Sequence, residues 1–565
     1  MIIPSARRTL PIALAVLAAV VGTIVAIHYH RLGLTLSHYD ARGHLVVARR
    51  ILDSLTPGWQ QIGAVWLPLP HLLNALPVQV DAWYRSGASA VAISIAAFAV
   101  SVGAISWIVL ALTESPAAAV AGAAVFALNP NVLYLQATPM TEPLLLALTT
   151  LAVAMLLNWT AGLKSCATPA RSISVASPPG SIVVAQDFSP AGSLVAHDFS
   201  PAGSVVAQDF SPALSPAAVG WVFALACLTR YEAWPVTFAA LGAAAWARWR
   251  QGDPAAIAAR RVGAIALFPI AAIAGFLVFS RVVIGEWFVA SGFFTPDNAA
   301  LGDPVKSAAE IWYGLHSLSG LLLVAVAAAG AAALMMLGLV KNGWPPALIV
   351  LSLAATAALP WLAFIEGHPF RIRYMVPLIA IEAIGVGYAL GLARRTLEPR
   401  LPARSAISLL IVVAVGLMAY DLRPLDLTAP MVVEAQWDRP NVPIREQVTA
   451  CLGSPRSGEK IMASMGSLGH YMQEASRAGF QLRDFLHEGN GDIWLAALAM
   501  GPRPFVKWVL IEEKAEGGDM LALRAREAPH FLDGYSRVCE GAGLALYKRR
   551  SATTEVTGTN GGSGK

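Results

Sequence analysis

Four short stretches of this chain carry side chains able to handle protons and phosphates. The first, "HYDARGHL", follows an apolar segment directly and presents Asp40 flanked by His38 and His44. Glu142 opens a later apolar segment in "MTEPLLLAL". Arg230, Tyr231 and Glu232 interrupt a third in "LTRYEAW". "EGHPFRIRYMVP" then brings Glu366, His368, Arg371, Arg373 and Tyr374 together just ahead of a fourth. A carboxylate can take a proton from a hydroxyl, and a guanidinium can hold a phosphate through paired N–H donors. Gathered on one face, such groups make a site for an anionic substrate and a proton acceptor. Each also has a plainer reading as a snorkelling side chain or local ion pair near a helix end. For Asp40 that reading is concrete. Ser37 stands three residues ahead of it, as in a capping box, and an acid in a first helical turn contributes about 0.3–1 kcal/mol through the helix dipole. By residue type alone, capping is the better account of Asp40.

Composition decides what must position these groups. The 565 residues are 56% hydrophobic and 13% charged, against about 25% charged in soluble domains. The balance is that of a polytopic membrane protein. The net charge of +5 implies no nucleic-acid partner. Apolar stretches of spanning or near-spanning length run over 10–27, 90–112, 117–135, 143–161, 217–229, 234–247, 262–284, 319–340, 345–364, 374–393 and 405–420. The N-terminus resembles a signal peptide, but the further apolar segments favour an uncleaved first span. The pair at 217–247 reads either as one long helix or as a hairpin turning at Arg230–Glu232. With the hairpin and a cytoplasmic N-terminus, Arg7, Arg8, Lys164, Arg171, Arg248, Arg250, Arg260, Arg261, Lys341, Arg394, Arg395, Arg400 and Arg404 all fall inside, as the positive-inside tendency requires. The expectation is an all-α bundle of about eleven spans in residues 1–420.

All four chemical stretches then face outward. The first outer loop is 28–89. In it, Leu45, Ala48, Ile51, Leu52 and Leu55 share one helical face while Arg42, Arg49, Arg50 and Asp53 lie elsewhere, the pattern of a helix lying in the membrane interface. Trp59 and Trp66 suggest a second segment at interface depth. Arg371 and Arg373 sit where the positive-inside tendency disfavours them, which weakens their plainer reading. The cytoplasmic insertion 162–216 holds three copies of an eleven-residue unit, such as "VVAQDFSPAGS". A Pro in every copy breaks any helix, and the copies are too short and few to stack a core. It reads as a flexible insertion.

From 421 to 550 the chain reads as a small extracytoplasmic α/β domain, with "EKIMASMG", "FVKWVLIEE" and "GLALYKRR" as strands and "SLGHYMQEASRAG" and "GGDMLALRAREAPHFL" as helices. Cys451 and Cys539 both fall there, where oxidising conditions permit a disulfide. Residues 551–565 read as a disordered tail. No Cys/His spacing suggests zinc, and no glycine-rich loop suggests a soluble nucleotide donor.

The order and common sidedness of these stretches resemble the membrane glycosyltransferases of the GT-C fold, especially the bacterial branch related to protein O-mannosyltransferases and aminoarabinose transferases (glycosyltransferase family 39-like). The likeness covers about residues 5–395. It rests on the acid after the first span in "HYDARGHLVVARRIL", the acid opening the fourth in "MTEPLLLALTTLAVAMLL", the "LTR" hairpin, and the Arg-Tyr-x-x-Pro start of "RIRYMVPLIAI". The resemblance implies transfer of a sugar from a polyprenyl-phosphate donor to a lipid, glycan or protein acceptor at the outer face, with inversion. Asp40 would be the general base. Arg373, then Arg371 and Arg230, would hold the lipid phosphate, and Glu142 and Glu232 would orient the acceptor or a cation. His38, His44, Tyr374 and His368 would be auxiliary. The resemblance requires no cofactor and leaves room for a divalent cation. A transporter or lipid flippase, which tends to place its charges near the midplane, and a non-enzymatic membrane scaffold are the rival readings.

Overall fold

A computed structural model describes residues 4–162, 214–287, 298–341, 343–514 and 518–551. Most of the repeat insertion, with Lys164, Cys166 and Arg171, and all but the first residue of the C-terminal tail lie outside the described residues.

Every expected apolar segment is helical, but not every one is a single long helix. Among the described residues, Thr9–Arg31, Ala88–Thr113, Glu142–Gly162, Ala255–Val283, Leu321–Leu339, Ala347–Ile365 and Ile372–Leu397 are long and apolar enough to cross a membrane. Pro116–Ala127, Pro216–Cys227 and Ser405–Asp421 are shorter apolar helices, and Ala233–Arg250 covers the remaining segment. The local breaks have chemical causes. The 117–135 segment divides at Asn129, whose side chain caps the helix Pro130–Leu135 by accepting from the N–H groups of Asn131 and Val132. The 217–247 segment divides at 228–232, as the charge argument required, with Cys227 Sγ 3.3 Å from Thr237 Oγ1 across the break. Glycines let the bundle close tightly. A Cβ on Gly385 would sit 2.5 Å from the Ala327 carbonyl oxygen, and one on Gly330 only 2.0 Å from that of Gly385. Those two helices therefore meet backbone to backbone, a contact that only small residues permit.

The segment after helix α1 (Pro4–Arg31) departs from expectation. Helix α2 (Tyr39–Arg50) is buried on nearly every side, Arg42 and Arg49 included. It does not lie in the interface with a solvated charged face. It is clamped between the bundle and the C-terminal domain, and its arginines are held by acids. Arg42 pairs with Glu474 and lies 3.5 Å from Asp438, and Arg445 bridges the same two acids at 2.7 Å each. Arg49 meets Asp53 at 3.0 Å and Asp81 at 2.7 Å, while Arg483 reaches Asp53 at 2.8 Å. The amphipathic pattern was real, but a protein surface rather than lipid covers it. The expected Ser37 capping box is also absent. The N-cap is His38, whose Nδ1 accepts from the Asp40 N–H at 3.1 Å, while Ser37 Oγ donates to the Leu34 carbonyl.

The C-terminal residues form a five-stranded sheet of β1 (Ile461–Ala463), β2 (Phe485–Leu486), β3 (Trp508–Glu512), β4 (Tyr535–Gly541) and β5 (Leu544–Arg549), in the order β2-β1-β3-β5-β4. β1 pairs in parallel with β2 and β3, and β5 runs antiparallel between β3 and β4. The three expected strands and two helices are present. β2 is two residues long, and β4 is an edge strand with three consecutive exposed residues, so neither shows the alternation that marks a strand. Cys451 and Cys539 are disulfide-bonded, tying the helix Val442–Leu452 to β4. The sheet does not build its core alone. Leu45, Val46 and Ala48 of α2, with Val78 and Tyr84, pack in one cluster with Ile461, Leu468, Phe485 and Leu546.

Candidate functional site

A cavity of about 430 Å³ opens at the end of the bundle that carries the C-terminal domain. Asp40 and His44 reach it from α2, one helical turn apart and therefore on the same face. Arg230, Tyr231 and Glu232 enter from the break between the paired helices, His368 from the loop before Ile372–Leu397, and Arg373 and Tyr374 from its first turn. Three of the four stretches thus meet at the cavity through their singled-out residues, and Glu142, from the fourth, reaches it only through Arg230. Arg373 lies in a 3-10 turn, Ile372–Leu378, which Pro377 keeps from being a regular helix.

The charges are compensated within the site. Arg373 donates to the Asp40 carboxylate, and its guanidinium carbon lies 5.2 Å from the Tyr374 ring centroid. Arg230 donates to Glu232 at 2.6 Å, Glu142 at 3.0 Å and Thr141 Oγ1 at 3.0 Å. Glu142 does not line the cavity. It is fully buried behind Arg230, and its second oxygen has no hydrogen-bond partner. Arg371 does not line the cavity either. His38 stands behind Asp40, with Nε2 3.6 Å from Glu434. Burial, offset only in part by Glu434, lowers the His38 imidazole to about 4.

Three participants were not read as site residues from the sequence. Glu434, on the helix Pro430–Gln436, accepts the Ile372 N–H at 3.0 Å and so braces the turn that carries Arg373. Burial pushes its carboxyl up, but His38, Arg373 and the Ile372 N–H outweigh that and hold it below the ordinary range. Its helix packs into the bundle core through Met431, Val432 and Ala435. No local pattern in "PMVVEAQ" announces a site, because its role depends on where the chain returns. His71 and Trp66 form the other unexpected group. The His44 and Trp66 ring centroids are 4.1 Å apart, and His44 Nδ1 is 3.1 Å from His71 Nε2. His71 lies on the short helix α3 (Leu69–Asn74). Burial, then the Arg50 charge, takes it down to about 3. Burial, then the neighbouring His71, holds His44 well below the usual range. Both environments favour the neutral ring. Among the described residues, no group of three or more His, Cys, Asp or Glu side chains is placed to hold a metal ion.

The polytopic helical bundle with its acid–arginine cavity is what the resemblance to the GT-C fold implied. Solved structures match this chain nearly end to end. ArnT from Cupriavidus metallidurans bound to undecaprenyl phosphate matches with a TM-score of 0.53 and 12% identity, over 96% of this chain and 99% of that one. The same enzyme in the apo state matches with a TM-score of 0.53 and 13% identity, over 94% and 97%. No protein-family model matches this chain, and no curated protein does. At these identities the likeness establishes the fold.

Proposed function

We propose that this protein is an integral membrane glycosyltransferase that moves a sugar from a polyprenyl-phosphate donor to an acceptor hydroxyl outside the cytoplasm, with inversion. The observation that carries the reading is the Asp40–Arg373 pair in the cavity wall. It joins a proton acceptor to a phosphate-binding cation in a fold shared with an enzyme whose structure holds undecaprenyl phosphate.

The incoming lipid phosphate takes Arg373 in place of Asp40, and Arg230 adds a second positive group nearby. Asp40, released from its partner, accepts the proton of the acceptor hydroxyl. The hydroxyl oxygen bonds to the anomeric carbon from the face opposite the phosphate as the carbon–oxygen bond to phosphate breaks. The polyprenyl phosphate leaves with that electron pair, its charge held by the arginines. Inversion follows from a single displacement. Glu232 is placed to orient the acceptor, and Glu142 acts only through Arg230. The acceptor is a lipid, a glycan or a protein. The reading places the protein in a bacterial cytoplasmic membrane with an inside N-terminus and an extracytoplasmic C-terminal domain, consistent with the disulfide.

The test is Asp40→Asn in proteoliposomes supplied with undecaprenyl-phosphate-linked sugars. Normal insertion with transfer lowered by about 10²–10⁴ is expected for a lost general base. Undiminished turnover overturns the assignment.

A further inference from the structure

The hydrogen-bond chain behind His44 fixes which of its ring nitrogens faces substrate. His71 Nδ1 lies 3.1 Å from the Leu67 carbonyl oxygen. A carbonyl only accepts, so His71 carries its proton on Nδ1. The neutral ring then has a lone pair on Nε2. His44 Nδ1, 3.1 Å from that atom, must be the donor. The proton of a neutral His44 is thereby committed to Nδ1, and Nε2 is left as an acceptor. Nε2 has no hydrogen-bond partner among the described residues, and His44 lines the cavity. Trp66 packs against the ring at an interplanar angle of 45°. On α2, His44 stands one turn beyond Asp40, so an acceptor atom of fixed direction sits beside the proposed reaction centre.

We propose that His44 Nε2 accepts a hydrogen bond from a hydroxyl of the sugar being transferred, and so selects a donor bearing that hydroxyl. The inference rests on the glycosyltransferase reading. If Arg373 holds the phosphate, the sugar attached to it comes within one helical turn of Asp40, which is where His44 stands. A site that hydrogen-bonds a hydroxyl discriminates against a ligand lacking it, because the buried acceptor is then left unpaired. His71 is a positioning residue. It contributes by fixing the His44 tautomer.

The test uses the full chain in lipid nanodiscs and equilibrium binding of four probes: undecaprenyl phosphate and its mannosyl, glucosyl and arabinosyl phosphodiesters. Wild type is expected to bind at least one sugar-bearing probe more tightly than the bare phosphate. His44→Asn keeps an amide N–H toward His71 but has nothing at the Nε2 position. It should lose about 3- to 10-fold for that probe, the worth of one neutral hydrogen bond, with bare phosphate unchanged. His44→Gln, with a carbonyl oxygen near the Nε2 position, should recover part of the loss. Nitrogen-15 spectra of histidine-labelled protein, with the signal assigned by its absence in His44→Asn, should show the His44 proton on Nδ1.

A proton on Nε2 overturns the inference, as does a His44→Asn variant that binds every probe like wild type. If that variant binds normally but transfers slowly, the contact belongs to the acceptor and the assignment to the sugar falls. Wild type preferring no sugar-bearing probe overturns the inference while leaving phosphate binding intact. Failure of wild type to bind even the bare lipid phosphate is instead failure of the glycosyltransferase reading.

Discussion

Asp40 and Arg373, 333 residues apart in the chain, pair side chain to side chain in the wall of one cavity. The base and the phosphate-holding group of the proposed reaction therefore neutralise one another until an anion arrives. This arrangement separates two effects that are usually confounded. Asp40→Asn should lower transfer by about 10²–10⁴ yet bind bare undecaprenyl phosphate more tightly than wild type, because a competing negative charge is gone. Arg373→Met should bind it about 10- to 100-fold more weakly, the range of a lost charge-assisted hydrogen bond. Equilibrium binding in nanodiscs checks both. Unchanged affinity in Asp40→Asn would mean that the phosphate does not compete for Arg373.

Arg230 holds two acids at once, and Glu142 is fully buried. Arg230→Met should destabilise the protein by about 3–5 kcal/mol, because it strands a buried charge. Glu142→Gln, which keeps the shape and the hydrogen-bonding oxygen, should cost much less. Thermal inactivation of the two variants in one detergent ranks them. Equal losses would show that Arg230 does not serve chiefly to compensate its acids.

Acidification should loosen the protein before its carboxylates titrate. Burial lowers His38 to about 4 and His71 and His487 to about 3, from an ordinary value of about 6.5. Below pH 6.5 the unfolded chain takes up protons that the native rings refuse. Stability therefore falls as pH drops from about 6.5 toward 4, by up to about 1.4 kcal/mol per pH unit for each ring, and is restored above it. Melting temperatures across that window should show the slope, and His71→Gln should make it shallower. A flat profile would mean that these rings are not held neutral.

The four-charge latch of Arg42, Asp438, Arg445 and Glu474 fastens α2 to the C-terminal domain. Arg445→Met should leave the two acids undercompensated, speed limited proteolysis between 421 and 460, and lower transfer, since α2 carries Asp40. Wild-type proteolysis with wild-type turnover would assign the latch no part in holding the site.

Orientation is testable by labelling. Cysteines introduced at Ala255 and Leu301, both exposed, should react with a membrane-impermeant maleimide only at position 301 in intact cells. The reverse pattern would invert the topology.

Much of this protein was legible in its residues alone. Apolar run lengths set the bundle, because spanning helices must satisfy their own backbone in hydrocarbon. The placement of Arg and Lys residues favoured a break at Arg230–Glu232, and the helix does divide there. The meeting of Asp40, Arg230 and Arg373 followed from their common sidedness, which membrane topology enforces at a distance. What tertiary structure alone decided was what covers each polar face. The pattern around α2 was amphipathic, and periodicity cannot distinguish lipid from a protein surface. Only the fold shows that Asp438 and Glu474 meet Arg42. Likewise the residue types pointed to Ser37 as the cap of α2, whereas the fold uses His38, a difference that turned on the geometry of one turn. Glu434 and His71 carry no local signal and Trp66 reads only as an interface residue, because their roles in the site arise from contacts with segments remote in sequence. A sequence lists the groups able to do chemistry, and long-range packing decides which of them share a cavity and which are merely neutralised inside the protein.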